Sequence, residues 1–264
     1  MNLSKKIDKK FYFKNGFLII DNFIKKSQIN KLNKKAIDLF NGNYDNNIQP
    51  DKIKWDKSNK DRNPRQLCNV WKSSRDFKKI VLNKKIAMIA AEITGWKGIK
   101  ICQDSLFWVP TNSGGVGMHQ DNSYQDWHSP GKTITCWITL TDLKKNSSGI
   151  QYLSGSHESK VSNPIKKFFS GKNYKSTIMK KNFSKFNLHE IIGKAGTITF
   201  HHGNIWHGSN INYSKKPRLS LSIHMIPSDS IFRKKVNHPQ FSRYKLNNSL
   251  KMDNSFFPTV LEKN

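Results

Sequence analysis

TITCWITL, residues 133–140, alternates polar and apolar side chains and decides the fold class of this chain. Because successive side chains of a β-strand point to opposite faces of its sheet, the stretch predicts a strand with one apolar face and one polar face that carries a single aromatic, Trp137. RLSLSIHM, residues 218–225, repeats the pattern and places Arg218 on its polar face together with His224. A jelly roll can use such a polar face to line a cavity for a polar ligand.

The surrounding sequence predicts a single domain of residues 1–264, since all-β folds of this size commonly form one unit. Short runs of β-forming residues separated by Gly, Pro, Asn and Ser predict strands beyond residue 98, and an earlier strand is expected at 16–23. The polar stretch 41–63 predicts a surface loop that could order over a pocket. We expect a helical layer over about 1–98, a core over about 99–227 with an insertion or lid over about 158–194, and a C-terminal tail over about 228–264.

Two helices are predicted before the core. The first has Ser27 as its N-cap and reaches Phe40, and the second runs from Asp76 to Thr94, where Gly95 ends it as a C-cap. Both segments carry apolar residues at helical spacing, which predicts that one face of each helix is buried. The apolar positions are Ile29, Leu32, Ala36, Ile37 and Phe40 in the first helix, and Ile80, Ala87, Met88, Ala91 and Ile93 in the second.

Lysine gives the chain a formal net charge of +28, with 46 Lys and Arg against 18 Asp and Glu. A protein this basic could bind nucleic acid, an anionic membrane surface or acidic substrates. The lysines run from Lys5 to Lys263 without concentrating on one groove or helix, which predicts a solvated basic surface and argues against a nucleic-acid partner. Short basic groups at Lys166–Lys167, Lys180–Lys181 and Arg233–Lys235 would still attract an anionic small molecule.

The cysteines and the hydropathy pattern predict a soluble protein of the cytoplasm. Cys68, Cys102 and Cys136 form neither a CxxC pair nor a secreted disulfide framework, which favours a reducing compartment. The sequence contains no apolar run of the roughly 18 residues that a membrane span requires, and its first residues lack the apolar core of a signal peptide.

A metal site is indicated by GGVGMHQDNSYQDW, residues 114–127. In an extended strand His119 and Asp121 project to the same side, so both can hold one metal ion. A second imidazole would complete the two-histidine, one-carboxylate triad of non-haem Fe(II) oxygenases, which leaves three coordination positions open. The stretch 196–209 offers His201, His202 and His207 as candidates for that imidazole.

Arg218 favours His207 among the three candidates, with His202 as the alternative. Arg218 stands eleven residues after His207, across the turn-like segment 212–217. A hairpin of that length returns the chain beside its starting point, so the guanidinium could lie near the metal. Arginine also matches a carboxylate with two parallel hydrogen bonds.

The combination of His119-Gln-Asp121, Trp137, Gly155-Ser-His157, His207-Gly-Ser209 and Arg218 resembles the phytanoyl-CoA dioxygenase family of Fe(II)- and 2-oxoglutarate-dependent oxygenases. The resemblance extends from the Gly16 strand to about Pro227. It implies a mainly β fold with flanking α-helices, namely the double-stranded β-helix, which is a cupin-like jelly-roll barrel.

The resemblance also implies roles for individual residues. His119, Asp121 and His207 would be the iron ligands, and Arg218 would bind the distal carboxylate of 2-oxoglutarate, helped by Ser209 and Trp137. Gln120 and Gln103 match further co-substrate contacts. The chain departs from many relatives at Val109-Pro110, where they carry a Lys before the Pro, which puts the contact of that Lys in doubt.

The activity implied is that of an Fe(II)- and 2-oxoglutarate-dependent dioxygenase, which uses O2, releases succinate and CO2, and hydroxylates a small metabolite. Related halogenases have a small residue in place of the carboxylate ligand, so Asp121 argues for hydroxylation. The alternative is a non-catalytic β-barrel protein that binds an anionic ligand or nucleic acid through its basic surface.

Some residues near the site have a structural reading as well as a functional one. Trp137 could serve packing alone, because aromatic residues in strands are usually core. Tyr124, Trp127 and Phe107 are as well explained by the core as by substrate contact, and His157 fits a structural turn after a strand end.

Overall fold

The protein is described by a computed structural model over residues 7–45, 47–54, 64–165, 168–170, 183–236, 238–246 and 249–262. The helices are α1 (Lys9–Asn15), α2 (Lys26–Phe40), α3 (Arg75–Val81) and α4 (Lys84–Thr94). The strands are β1 (Phe17–Ile20), β2 (Lys52–Lys54), β3 (Arg65–Cys68), β4 (Gly98–Val109), β5 (Gly115–Val116), β6 (His128–Ser129), β7 (Ile134–Thr139), β8 (Ile150–Ser154), β9 (Phe169–Ser170), β10 (Asn187–Glu190), β11 (Ile198–His202), β12 (His207–Ser209), β13 (Arg218–Pro227), β14 (Ile231–Phe232) and β15 (Thr259–Glu262).

The largest sheet is antiparallel and has the strand order β1-β11-β7-β13-β4-β3-β2, with β15 also paired to β4. Its centre is formed by β7 and β13, the two strands predicted from alternation. Ser222 of β13 lies opposite Trp137 of β7 on one side and Ser105 of β4 on the other. The register therefore aligns the polar positions of the three strands on one face.

A three-stranded sheet, β10-β8-β12, contacts that polar face. Tyr152 of β8 reaches across to β11, where its hydroxyl group bonds Thr199 and His201. Two packed antiparallel sheets with a polar space between them form a jelly roll, which confirms the predicted mainly β class. The strands of the described residues pair into separate sheets, and these sheets do not close into one barrel.

The opposite face of the large sheet is apolar and carries the helices. Buried side chains of β7 and β13 form one cluster with those of α2, α3 and α4, in which each fully buried Leu or Ile contributes about 1.5–3 kcal/mol. The helical layer is therefore the support of the sheet, and the cavity is left on the other side. Members of the cluster include Leu32, Leu39, Phe77, Ile86, Ile93, Ile134, Ile138, Leu221 and Ile223.

Two helix predictions need correction. Lys25, and not Ser27, is the N-cap of α2; it is extended and makes no side-chain cap bond. The predicted second helix is two helices, since Asn83 stops α3 from continuing and accepts hydrogen bonds from Lys85 N and Ile86 N at the start of α4. Such an N-cap competes with an unbroken helix.

The apolar stripes are also narrower than predicted. Ile37 of α2 is 46% exposed and Met88 of α4 is 50% exposed, because each lies beside the buried stripe of its helix. Gly95 ends α4 in the left-handed conformation, as predicted.

The C-terminal region is a packed part of the fold. β14 pairs with β6 and β15 pairs with β4. Phe241 and Phe257 stack on Trp127, which is 1% exposed. The core reading therefore holds for Trp127, and the residues after 227 cover one side of the sheet.

The predicted surface loop at 41–63 contains β2, and its residues 46 and 55–63 lie outside the described part. The predicted lid at about 158–194 contains β9 and β10, and β10 pairs with β8 in the smaller sheet. The basic pairs Lys166–Lys167 and Lys180–Lys181 lie outside the described residues. Within the described ranges, no helix combines the length and the apolar character required to cross a bilayer.

His128 of β6 gives a prediction about stability at acidic pH. Its side chain is buried, and burial lowers its pKa to about 4, against about 6.5 in the unfolded chain. Between these values the unfolded chain binds a proton that folded His128 does not, so stability is lost as the pH falls through this window and is unaffected above it.

We expect the free energy of unfolding of the wild type to fall by roughly 3 kcal/mol relative to that of His128→Leu between about pH 6.5 and pH 4. Urea unfolding at several pH values measures the difference in free energy of unfolding between the two proteins. The titration of groups other than His128 is common to both proteins and cancels in this difference. Parallel curves for the two proteins would contradict the assignment.

Candidate metal centre

His119, Asp121 and His207 come together at one end of the cavity. The backbone amide of His119 donates to the carbonyl of His207, and the backbone amide of His207 donates to the carbonyl of His119, each at 2.9 Å. These two hydrogen bonds join the His119 segment to β12. The Nε2 atoms of His119 and His207 each lie 3.6 Å from Asp121 Oδ1. One nitrogen from each histidine and one carboxylate oxygen lie within 4.8 Å of one another, so the three side chains can hold one metal ion.

Backbone carbonyls orient both imidazole rings. His119 Nδ1 lies 2.8 Å from Gly117 O, and His207 Nδ1 lies 3.0 Å from Ile205 O. A carbonyl accepts only, so each Nδ1 carries the proton and each Nε2 presents a lone pair toward Asp121. This is the tautomer that a metal ligand requires.

The charge state of the three groups also suits a metal ion. Burial alone would raise the pKa of Asp121, but the surrounding histidines, with His207 and His224 foremost, hold that pKa well below its usual range. Burial lowers the pKa of His207 well below its usual range. An ionised carboxylate beside a neutral imidazole is the donor set that binds divalent iron.

Arg218 lines the same cavity and is 3% exposed. Its Nη1 donates to Ser220 Oγ at 2.6 Å, its Nη2 donates to Ser209 Oγ at 3.2 Å, and its guanidinium lies 5.9 Å from the centre of the Trp137 ring. Burial lowers its pKa to about 9, so it remains charged at neutral pH.

No carboxylate of the described chain pairs with this guanidinium, and its Nε–H has no hydrogen-bond acceptor. A buried cation without a counter-charge is costly, because the charge is removed from water without compensation. The cavity therefore offers a site where an anionic group, such as one carboxylate of a dicarboxylic acid, can bind.

The alternative metal ligand, His202, does not reach the centre. Its ring lies 5.6 Å from that of His157, and its Nδ1 accepts a hydrogen bond from Asn204 N at 3.0 Å. His157 itself bonds Phe13 O at 3.0 Å from the short 3-10 helix Ser156–Glu158, in agreement with the structural reading of that residue.

Gln120, predicted as a co-substrate contact, has its side-chain amide bonded to two backbone groups. Since His119 and Asp121 face the cavity, the residue between them faces the other way. Gln120 is fully buried, its Nε2 donates to Asn204 O at 2.7 Å, and its Oε1 accepts from Ser162 N at 2.7 Å. Its amide therefore ties the metal-binding segment to two neighbouring loops.

The Gln120→Ala variant should lower the free energy of unfolding by about 1–3 kcal/mol, because it removes a buried amide and leaves two part-buried backbone groups without this partner. Urea unfolding measures this loss, and Gln28→Ala, at an exposed position of α2, is the control. The opposite pattern, with unchanged stability and a raised KM for 2-oxoglutarate, would support the co-substrate role.

The cavity has a volume of about 750 Å³. Trp137 and Ser209 line it near Arg218, and Gln103 lines it while donating from Nε2 to Ser105 Oγ at 2.9 Å. The remaining wall is polar and aromatic, which suits a polar organic ligand. It includes Lys52, Gln66, Phe107, Tyr124, Gln125, Ser162, Phe168, Ser222, His224, His238, Gln240 and Phe241.

Sequence reasoning missed two histidines beside Asp121. His201 Nε2 lies 3.2 Å from Asp121 Oδ2, and His224 Nε2 lies 3.7 Å from Asp121 Oδ1. A signal for His224 was present, because it stands on the predicted polar face of its strand. His201 was predicted only as a rival ligand, and its actual partner on β8 is not evident from local sequence.

The chain is similar to several known proteins. The family model described as phytanoyl-CoA dioxygenase matches residues 12–220. A phytanoyl-CoA dioxygenase of Arabidopsis thaliana is 25% identical over 159 residues, which are 58% of this chain and 53% of that protein. An ectoine dioxygenase of Streptomyces coelicolor is 25% identical in an alignment 183 residues long that covers 60% of this chain and 58% of that protein. The chain thus spans between half and two thirds of the length of these curated relatives.

Among solved structures, the epimerase SnoN in complex with Fe3+, alpha ketoglutarate and nogalamycin RO is similar with a TM-score of 0.76 and 15% sequence identity, covering 98% of each chain. At this identity the likeness supports the fold alone, and it agrees with the predicted jelly roll. Because the family model matches most of the sequence, from residue 12 to residue 220, the chain belongs to the phytanoyl-CoA dioxygenase family.

Proposed function

We propose that this protein is an Fe(II)- and 2-oxoglutarate-dependent dioxygenase that hydroxylates a small molecule. The observation that carries the proposal is the position of the buried guanidinium of Arg218, which has no carboxylate partner among the described residues, in the same cavity as His119, Asp121 and His207. A cavity with a metal triad and a buried cation matches a co-substrate that has a chelating acid group and a second carboxylate.

The residues that line the cavity fit both Fe(II) and 2-oxoglutarate. The two Nε2 atoms and Asp121 Oδ1 would hold Fe(II) and leave three positions open, and the bound iron would supply the activation of dioxygen. Arg218 would bind the distal carboxylate of 2-oxoglutarate, with Ser209 and Ser220 fixing the orientation of the guanidinium.

The spacing along β13 supports this arrangement. The Cα atoms of Arg218 and His224 are six residues apart, roughly 20 Å along an extended strand. The Arg218 side chain turns back toward Ser220 and Trp137, and thus toward the metal end. Ser209, which accepts a hydrogen bond from the guanidinium, stands two residues after the ligand His207 on β12, so this strand connects the acid anchor to the metal site.

The relatives give the proposal further support. The curated relatives are dioxygenases, and the solved structure of SnoN contains iron and alpha ketoglutarate. Because SnoN is an epimerase, hydroxylation is the part of the proposal that needs its own test. A product that has gained one oxygen atom would support it, and conversion without oxygen gain would overturn it.

The substrate we propose is a small polar molecule that occupies the wall opposite Arg218. The overall charge favours an anionic substrate, but among the described residues only Lys52 and Arg218 contribute a Lys or Arg side chain to the cavity. With Arg218 assigned to 2-oxoglutarate, Lys52 is the cation left for a substrate anion. Screening pairs of neutral and anionic compounds for stimulated succinate release decides between these classes.

Succinate release from 2-oxoglutarate in the presence of Fe(II) is the direct test of the activity, with His119→Ala as the inactive control. Equal inertness of both proteins across broad metabolite pools would favour the alternative, a barrel protein that binds an anionic ligand without oxidation. The triad favours the enzyme, since a simple binding protein has no need of it.

We also propose that the protein functions in the cytoplasm. All three cysteines, Cys68, Cys102 and Cys136, are buried and form no disulfide, which is consistent with a reducing compartment. Fractionation of the cells that make it would test this, and a secreted, oxidised form would contradict it.

A further inference from the structure

The two oxygens of Asp121 have different surroundings. Oδ1 faces the Nε2 atoms of His119 and His207. Oδ2 instead receives the hydroxyl of Thr135 at 2.6 Å and lies 3.2 Å from His201 Nε2. Oδ1 is therefore directed at the metal position, and Oδ2 is hydrogen-bonded on the side away from it.

A chain of buried hydrogen bonds continues from His201. Its Nδ1 lies 3.0 Å from the hydroxyl of Tyr152, which in turn lies 2.6 Å from Thr199 Oγ1. Tyr152 is fully buried, and His201 and Thr199 are at most 1% exposed. No water is needed to complete the chain, because each of its atoms has a protein partner.

The direction of the proton donors follows from the acceptor at the end. A carboxylate that binds a metal ion is ionised and only accepts hydrogen bonds, so His201 Nε2 carries the proton that faces Asp121. His201 Nδ1 then has a lone pair and accepts from Tyr152, and the oxygen of Tyr152 accepts from Thr199. The opposite direction would set an imidazole lone pair against a carboxylate oxygen.

We propose that His201 and Tyr152 form a positioning relay that holds Asp121 Oδ2 and leaves Oδ1 alone to bind the metal. This inference rests on the proposed iron site. With Oδ2 engaged by two donors, Asp121 binds through a single oxygen, and the three open positions that 2-oxoglutarate and dioxygen require are preserved.

The packing around Tyr152 supports a positioning role. Tyr152 is the direct cross-strand partner of the ligand His207 in the pairing of β8 with β12. Its ring stacks on Phe17 of β1, with centroids 4.7 Å apart and planes at 17°. The relay is thus fixed from the smaller sheet, which also carries one ligand, while His201 is fixed by the large sheet.

The test is the affinity for Co²⁺, titrated by its absorption spectrum, which also reports ligand geometry. Tyr152→Phe removes one oxygen and keeps the stacked ring, and we expect a loss of about tenfold in Co²⁺ affinity. His201→Phe should lose about 10- to 100-fold, and His201→Gln, whose amide can still donate to Asp121, should recover part of this loss.

Tyr12→Phe is the matched control, because the hydroxyl of Tyr12 is also buried but bonds no partner in the part of the chain that the structure describes. It should leave Co²⁺ affinity unchanged. A purely structural role of Tyr152 predicts a lower melting temperature of the metal-free protein with wild-type Co²⁺ affinity and spectrum, and that result would overturn the relay.

A double-mutant cycle separates the effect of the relay from that of Thr135, the other hydrogen-bond donor to Asp121 Oδ2. Thr199→Val should add little to Tyr152→Phe, since both act through His201, whereas Thr135→Val should add its full effect. Additive losses for Tyr152 and Thr199 would contradict a common chain. If the wild type binds Co²⁺ but never turns over 2-oxoglutarate, the proposed function fails while the relay is still measured.

Discussion

Replacing His207 with alanine will abolish tight iron binding and reduce 2-oxoglutarate turnover by roughly 10³-fold or more, whereas replacing His202 will leave both largely intact. His207 supplies one of the two imidazole ligands. A bound metal stabilises the transition state by several kcal/mol, and each 1.36 kcal/mol corresponds to a tenfold change in rate. Anaerobic Fe(II) titration and succinate release measure the two effects.

The His202→Ala variant is a close control, because it removes a neighbouring imidazole of the same segment. It loses the hydrogen bond from Asn204 N and should cost about 1 kcal/mol of stability without touching the metal. Iron binding that survives His207→Ala but disappears with His202→Ala would reverse the ligand assignment.

Replacing Arg218 with methionine will raise the KM for 2-oxoglutarate by roughly 30- to 3,000-fold. Losing one partner of a buried charge pair costs about 2–5 kcal/mol, and each 1.4 kcal/mol is tenfold in affinity. The unfolding free energy of the ligand-free protein should not fall, because this guanidinium has no carboxylate partner in the described part of the chain.

Steady-state kinetics and the rise in melting temperature on adding 2-oxoglutarate with a metal measure the loss, since a ligand stabilises a protein in proportion to its affinity. Arg75→Met, at an exposed position of α3, is the control for the loss of a positive charge. An unchanged KM in Arg218→Met would place the acid anchor elsewhere.

The main elements of the site could be predicted because their signals are local. Period-two alternation in β7 and β13 gives the two faces of the sheet, and the same rule aligns His119 with Asp121. That rule also assigns Gln120 to the face opposite the cavity, whereas its predicted co-substrate contact comes from the residue type alone and does not consider direction.

Other features depend on contacts that no local pattern contains. Tyr152 and His201 lie on strands of different sheets and meet only when those sheets pack. The helix break at Asn83 was not predicted, because apolar residues continue at helical spacing on both sides of it. The Asn83 side chain caps the start of α4 and thereby ends the continuous helix that this spacing predicts.

The two sides of the cavity differ in how they are built. The co-substrate side consists of paired strands, whereas much of the opposite side comes from residues 122–124, which follow the ligand Asp121, and from residues 161–164 and 238–241. Loops accept substitutions and insertions that strands do not. Evolution or protein engineering could thus exchange the molecule that is oxidised by altering these connecting segments, with the oxidising machinery left untouched.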